Sequence, residues 1–436
     1  MSTNRRFFAL LALASYLLIL GAGSIELSKI DSKNNPHFDV FDEAAHFDYV
    51  DQLRQGSIPS WGTLYGQKTI LIADCLGSAF SEPGDCSEKK RDPKLFPPSG
   101  YNYQAQQPPL GYTPYLLHQV NEEDPLAQLT SLREFGSYFW TGLTISLIFL
   151  ISIVGKLPIL RVAFGSSLIL LSPVFIHSIS TVTNDAAVIA AVLIWVFSEL
   201  LVRNFNESRW VKFYFRVFAG LIIGLTKGYL LILPFASMVI SYGIVLGRFK
   251  WNRSKVELLN QLKSVSLTTC FTATMVQVIF LWIQSARSIT DSHLVMDSLL
   301  GFSKSTSPRW ETYLESLGNM FFLFHGRYFG VGQDLIVSEL ISNLVIASIA
   351  VLAFRELGSI RLSNPNSQAS ILNSLALTIT FSLLILAVAW PTLLFIQGGF
   401  DFPASPRYAL IALPLIGLAY AMRPLEANYI MPYRRK

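Results

Sequence analysis

"RRFFALLALASYLLILGAGS", residues 5–24, decides how the rest of the chain is read. Two arginines precede a largely apolar run long enough to cross a hydrocarbon layer about 30 Å thick. Similar runs of about twenty residues recur along most of the 436-residue chain, which is 51% hydrophobic and only 14% charged. A soluble globular protein usually carries about 25% charged residues. The pattern therefore predicts an all-α polytopic membrane protein, a helix bundle in lipid with about ten transmembrane helices.

The expected spans lie near 7–23, 137–155, 159–178, 186–202, 213–226, 229–246, 266–284, 337–354, 371–396 and 408–422. Lys and Arg concentrate on the cytoplasmic side of membrane proteins. Arg5 and Arg6 place the N-terminus there. Alternation then puts Lys156–Arg161, Arg203–Arg216, Arg248–Lys263, Arg355–Arg361 and the Arg434–Lys436 tail on the same side, and all are basic. The formal charge of +5 is accounted for by these loops. No basic–aromatic patch that would track a phosphate backbone is visible, so no nucleic-acid partner is expected. The small residues Ala22, Gly23 and Ser24 also fit a signal-peptide cleavage site, but a retained first helix is expected.

This topology makes 1–436 a single transmembrane domain in the cell membrane with both termini cytoplasmic. Two long extracytoplasmic loops, 24–136 and 285–336, are left outside, the first with short helices of its own. Cys75 and Cys86 both fall in the first loop, where an oxidising compartment would let them pair. Cys270 lies in a span and is read as packing. The sequons at Asn206 and Asn252 fall inside.

All six histidines (His37, His46, His118, His177, His293 and His325) map outside or to the outer end of a span. The first loop carries "VFDEAAHFDYVDQLRQGSIP", residues 40–59. Phe47, Val50 and Leu53 have helical spacing, and Gly56 and Pro59 end the helix. Asp42 and Glu43 then sit in its first turn, where the helix dipole favours negative charge. His46 follows on the same face, four residues from Asp42 and three from Glu43. An ionised carboxylate backed by a histidine suits a general base or a pair of metal ligands. It equally suits helix capping on a solvated face.

"YQAQQPPLGYTPYLL", residues 103–117, holds Gln107 and a rigid Pro108-Pro109 turn; it reads as a groove for a sugar or lipid tail, or as a stiff loop at the bilayer surface. In "STVTNDAAVIAAVLIW", residues 180–195, Asn184 and Asp185 stand at a span start, where they serve as a cap or orient a cation or hydroxyl. "GLTKGYLLILPF", residues 224–235, puts Lys227 outside against the charge rule, which a phosphate partner or snorkelling explains. "FLFHGRYFGVG" and "DFPASPRYALIALP" bring Arg327 and Arg407, each followed by a tyrosine, Tyr328 and Tyr408. Arginine binds phosphate at two points in one plane. Two arginines and a lysine at headgroup level suit a lipid-linked phosphate.

The ordered set "DEAAH", "QQPPLGY", "TNDAAV", "LTKGY" and "SPRYAL" resembles the GT-C membrane glycosyltransferases, and in particular a bacterial group with DE-x-x-H, Q-P-P-L, N-D and R-Y motifs. The resemblance implies a glycosyltransferase that uses a polyprenyl-phosphate-linked sugar on the extracytoplasmic face and inverts the sugar centre. It implies that Asp42 deprotonates the acceptor, with Glu43 as neighbour or substitute and His46 beside them. Asp185 would assist, with a divalent cation such as Mg or Mn on Asp42 and Asp185 left open. Lys227 and Arg407 would hold the lipid phosphate, the leaving group; Arg327, Tyr408, Gln107 and Asn184 are further candidates, from the residues themselves, for contact with phosphate or substrate. The acceptor, whether glycan, lipid or protein, is not implied, since the spans are fewer than in many relatives and no large soluble C-terminal domain follows them. A transporter or flippase of a lipid-linked saccharide and a non-catalytic envelope-assembly protein are the alternatives. The first needs a passage open to both faces, and the spans show no inverted halves with broken helices.

Overall fold

A computed structural model describes residues 3–34, 37–38, 42–77, 92–95, 100–118, 124–204, 209–248, 267–289, 309–321, 344–345, 347–349, 351–353, 375–398, 404 and 406–422. Within these, the secondary structure is helical apart from one antiparallel bridge between Leu64 and Tyr101. Arg327 and Cys86 lie outside the described residues, as do most of the second long loop and the basic tail. Cys75 is disulfide-bonded, and Cys270 is free.

Helix α1, Thr3–Asn34, begins as the sequence predicts but continues past residue 23. At roughly 1.5 Å per residue it measures about 48 Å, well beyond the hydrocarbon thickness. Leu13 and Leu17 are buried in the core, whereas Phe7, Phe8, Leu18 and Ile19 are exposed. Such one-sided apolar exposure suits a helix whose outer face meets lipid. The glycines do not end the helix. A methyl group on Gly21 would run into Ile145 Cδ1 of α4, Pro125–Val154, so this position permits close helix approach. The polar end of α1 is anchored by side chains: Ser24 Oγ donates to Leu170 O at 2.7 Å, and Ser180 Oγ donates to Asp31 Oδ2 at 2.5 Å.

The predicted span at 159–178 is broken. Helices α5, Ile159–Leu170, and α6, Pro173–Ser180, meet at 56°. Pro173 has no N–H to continue the ladder, and Ser172 accepts the Phe175 N–H as a cap for the new helix. Helix α7, Asp185–Asn204, lies at the centre. The run Ala186–Leu193 is buried on every side, as an all-apolar helix should be. Helix α8, Arg209–Thr226, packs on it, and α9, Ile232–Arg248, follows after a short 3-10 turn, Gly228–Leu231. Between α8 and that turn stands Lys227 alone, in extended conformation.

Helix α10, Leu267–Ala286, crosses close to α8, where methyl groups on Gly220 and Gly224 would meet its backbone carbonyls at 2.8 and 2.7 Å. Helix α11, Trp310–Phe321, packs on α12, Leu375–Gly398, and on the 3-10 turn Pro406–Ile411 that leads into α13, Ala412–Met422. Five described helices are long and apolar enough to cross a membrane, or six if the bent pair counts as one span. The chain is an all-helical polytopic membrane protein; of the ten expected spans, 337–354 falls mostly outside the described residues.

The first loop forms a compact layer on one end of this bundle. Helices α2, Glu43–Arg54, and α3, Gln67–Leu76, pack with the 3-10 turns of 103–117 around Phe47, Tyr49, Tyr112 and Tyr115. Buried Asp48 staples the layer, accepting from Gly66 N at 2.7 Å, Asn102 Nδ2 at 2.8 Å and Thr69 Oγ1 at 3.1 Å. The layer also meets the end of α10, where Gln284 and Arg287 donate to the carbonyls of Pro59 and Ile58.

Candidate active site

Asp42 stands immediately before α2 with φ of 93°, a left-handed conformation that costs a non-glycine residue free energy. Its carboxylate makes no capping bond to the helix. The capping reading therefore fails for Asp42, whose side chain is turned to partners far along the chain. Arg407 Nη1 lies 2.5 Å from Oδ2, Gln104 Nε2 donates to Oδ2 at 3.0 Å, and the Tyr103 hydroxyl donates to Oδ1. Burial pushes the carboxyl up, but Arg407, His46 and Tyr103 outweigh that and hold it below its ordinary value. Asp42 is ionised at neutral pH.

The 3-10 turn that carries Arg407 is fixed by α11. Asn319 Nδ2 donates to Ala404 O at 3.0 Å, and Ser316 Oγ accepts the Ala404 N–H at 2.9 Å. Two backbone bonds three residues upstream thus set where the guanidinium enters. Tyr408, next in sequence, is buried against Trp390 at 4.3 Å and Tyr229 at 5.1 Å between ring centroids.

The second acid–cation pair joins Asp185, the first residue of α7, to Lys227 in the break between α8 and its following turn. Both side chains are nearly inaccessible, 11% and 6% exposed. The helix break at Lys227 lets its ammonium reach Asp185 while the flanking apolar runs stay in the bundle. Lys227 and Arg407 also lie over the rings of Tyr229 and Tyr408, at 5.5 and 5.7 Å.

His46 sits within the electrostatic reach of both pairs. Burial, and then Lys227, push its pKa down to about 3, against the pull of Asp42 and Asp185. It is a neutral imidazole. Nδ1 meets the Tyr112 hydroxyl at 2.6 Å, and Nε2 is buried without a hydrogen-bond partner. Gln104 Oε1, the Tyr229 hydroxyl and both amide atoms of Asn184 share that condition. Asn184 does not cap α7 either. Its side chain is wholly buried, and Thr183 Oγ1 accepts the Asp185 N–H at 3.4 Å. A methyl group on Gly111 would come within 2.8 Å of Asn184 Cβ, so the "PPLG" turn presses directly on this residue.

Glu43 is not part of this group. Arg133 of α4 grips it at two points, Nε–Oε1 2.8 Å and Nη2–Oε2 2.5 Å, and the Val182 N–H donates to Oε1 at 2.8 Å. Glu43 therefore ties α2 to α4 and to the segment ahead of α7. It is not positioned as a substitute for Asp42. Gln107 contributes its backbone carbonyl, to the Tyr49 hydroxyl at 2.9 Å.

The donor set does not suit a divalent cation. Asp42 and Asp185 are each matched by a cation at contact distance, and the described residues hold no group of three or more His, Cys, Asp or Glu able to ligate a metal. The sequence reading missed Tyr103, Gln104, Tyr112, Arg133, Tyr229 and Trp390. Arg133 carried a signal: a lone arginine at the start of an apolar helix needs an acid, as Lys227 does.

No protein-family model matches the chain, and no curated protein matches it. Among solved structures, it is similar to ArnT from Cupriavidus metallidurans bound to undecaprenyl phosphate, with a TM-score of 0.40 and 13% identity over 99% of this chain and 80% of that one. The apo state of ArnT gives a TM-score of 0.39 and 13% identity over 97% and 80%.

Proposed function

We propose that the chain is a GT-C-type membrane glycosyltransferase that moves a sugar from a polyprenyl-phosphate-linked donor to an acceptor hydroxyl on the extracytoplasmic face. The observation that carries this reading is the presence of two buried acid–cation pairs, Asp42–Arg407 and Asp185–Lys227, drawn from four separate segments and both within electrostatic reach of His46. The charge distribution of the loops supports the extracytoplasmic side.

In this reaction Asp42 accepts the proton of the acceptor hydroxyl as its oxygen bonds to the anomeric carbon. The bond from that carbon to the phosphate oxygen breaks, and its electron pair stays on the phosphate. Single displacement inverts the centre. General-base help of this kind contributes about 10²- to 10⁴-fold. Lys227 and Arg407 offset the charge gathering on the departing phosphate, in a setting with little water to screen them. His46, being neutral, adds no competing charge and offers Nε2 to a substrate hydroxyl. No step runs through a metal ion, and transfer is expected to persist in EDTA. The test is a strain whose only copy carries Asp42→Asn, assayed for surface glycan. Loss of the glycan with normal protein abundance is the expected result; wild-type glycan excludes Asp42 as the base.

A further inference from the structure

Among the described residues, the two pairs leave the site electrically balanced before any substrate arrives. Asp42 and Asp185 supply two negative charges, Lys227 and Arg407 two positive ones, and His46 is neutral. The four charged side chains are only 6–19% exposed. Arg133, a further buried cation among the described residues, is held by Glu43. Among the described residues, a phosphate group entering such a place meets no buried cation that is not already engaged at contact distance. Adding its charge beside two intact pairs would bury an anion without compensation, which is strongly unfavourable.

We propose that the acid–cation pairs are exchanged on binding: the phosphate group of the lipid-linked donor takes Arg407 and Lys227 from their carboxylates, and Asp42 becomes competent as a base only through that exchange. The inference rests on the glycosyl-transfer reading and adds regulation to it. The geometry favours exchange over simple addition. Asp42 keeps two neutral donors, Tyr103 and Gln104, after Arg407 leaves, so the carboxylate is not stranded. Arginine and lysine together offer a phosphate a two-point fork and a point charge. An Asp42 still locked to Arg407 is a weak base. Freed, its pKa rises and its proton affinity improves at the moment the leaving group is in place. The donor phosphate thereby switches on the group that attacks with the acceptor, and water is not activated when no donor is present.

The test is a double-mutant cycle on binding. Full-length protein in lipid nanodiscs is titrated with sugar-free polyprenyl phosphate, and separately with inorganic phosphate. Exchange predicts that Asp42→Asn tightens binding by about tenfold or more, because Arg407 loses its competitor. It predicts that Arg407→Gln weakens binding, and that Asp42→Asn then brings no further gain. A gain with both probes assigns the site to the phosphate group alone; a gain confined to the lipid adds its chain. Either supports exchange. An equal gain in both backgrounds means ordinary repulsion and overturns the proposal, as does no gain at all. If Asp42→Asn does not fold, Asp185→Asn with Lys227→Gln forms the same cycle on the other pair. A wild-type chain that binds neither probe overturns the transfer reading, and this inference with it; binding without the cycle's signature overturns the inference alone.

Discussion

Asp42 and Arg407, from opposite ends of the chain, form a 2.5 Å ion pair that ties the entry to α2 to the entry to α13. Neither residue has a local reason for its placement. Asp42 adopts a left-handed backbone without capping its helix, and Arg407 is set by the bonds that α11 makes to Ala404. Strain of this kind persists where surrounding structure over-determines it, typically at functional sites.

Arg407→Lys keeps the charge but removes the planar fork. We expect the donor KM to rise and kcat to fall, each by about tenfold, with the fold intact. Steady-state kinetics over a range of donor concentrations measures both.

Glu43→Gln should act on stability. Leaving Arg133 buried without its carboxylate costs about 3–5 kcal/mol, whereas replacing both partners by well-packed apolar residues is close to neutral. Thermal unfolding in detergent should therefore rank Glu43→Gln well below Glu43→Leu combined with Arg133→Met. The reverse order would mean that the pair is not the tie it is taken to be.

His46 makes stability depend on pH. Its folded pKa of about 3 lies below the ordinary value of 6.5, so the unfolded chain binds the proton first on acidification. Stability is complete above about pH 6.5 and falls by about 1.4 kcal/mol per unit from there toward pH 3. Asp42, also depressed, adds to the loss only at the acid end. Melting temperatures between pH 5 and pH 8 should fall with acid for the wild type and flatten in His46→Gln.

Gly111→Ala tests the site from outside it. The new methyl group must displace Asn184, whose Cβ lies 2.8 Å away, and with it Asp185. Overpacking of this sort costs about 1–3 kcal/mol. Activity should drop at least tenfold while Lys227→Ala, which removes the partner of Asp185, brings little further loss in the same background.

The membrane architecture was legible because apolar length is a one-dimensional property. The runs at α1, α4, α7, α10 and α12 each announce a span, and Lys227 stood out because it stands between two apolar runs. The far end of α1 was hidden because Ser24 and Asp31 look like loop residues until α5 and α6 supply their partners. The bend between those two helices hung on Pro173, which an apolar count passes over. At the site, Asp42, Asp185, Lys227 and Arg407 could be picked out as misplaced charges, but their pairing is a property of packing. Glu43 shows the limit: adjacent to Asp42 and chemically alike, it faces Arg133 because one residue along a helix start turns a side chain through about 100°. Tyr103 and Gln104 gave no signal beyond their place in an amide-rich turn.

The most direct measurement is sugar transfer by the purified chain in nanodiscs, using a panel of polyprenyl-phosphate sugars labelled in the sugar and a crude envelope acceptor fraction. The account predicts label moving to acceptor with the wild type, a loss of about 10²-fold or more with Asp42→Asn, and inversion at the transferred centre. Undiminished transfer by Asp42→Asn, or passage of labelled donor across the bilayer of sealed vesicles holding the chain and no acceptor, would contradict it.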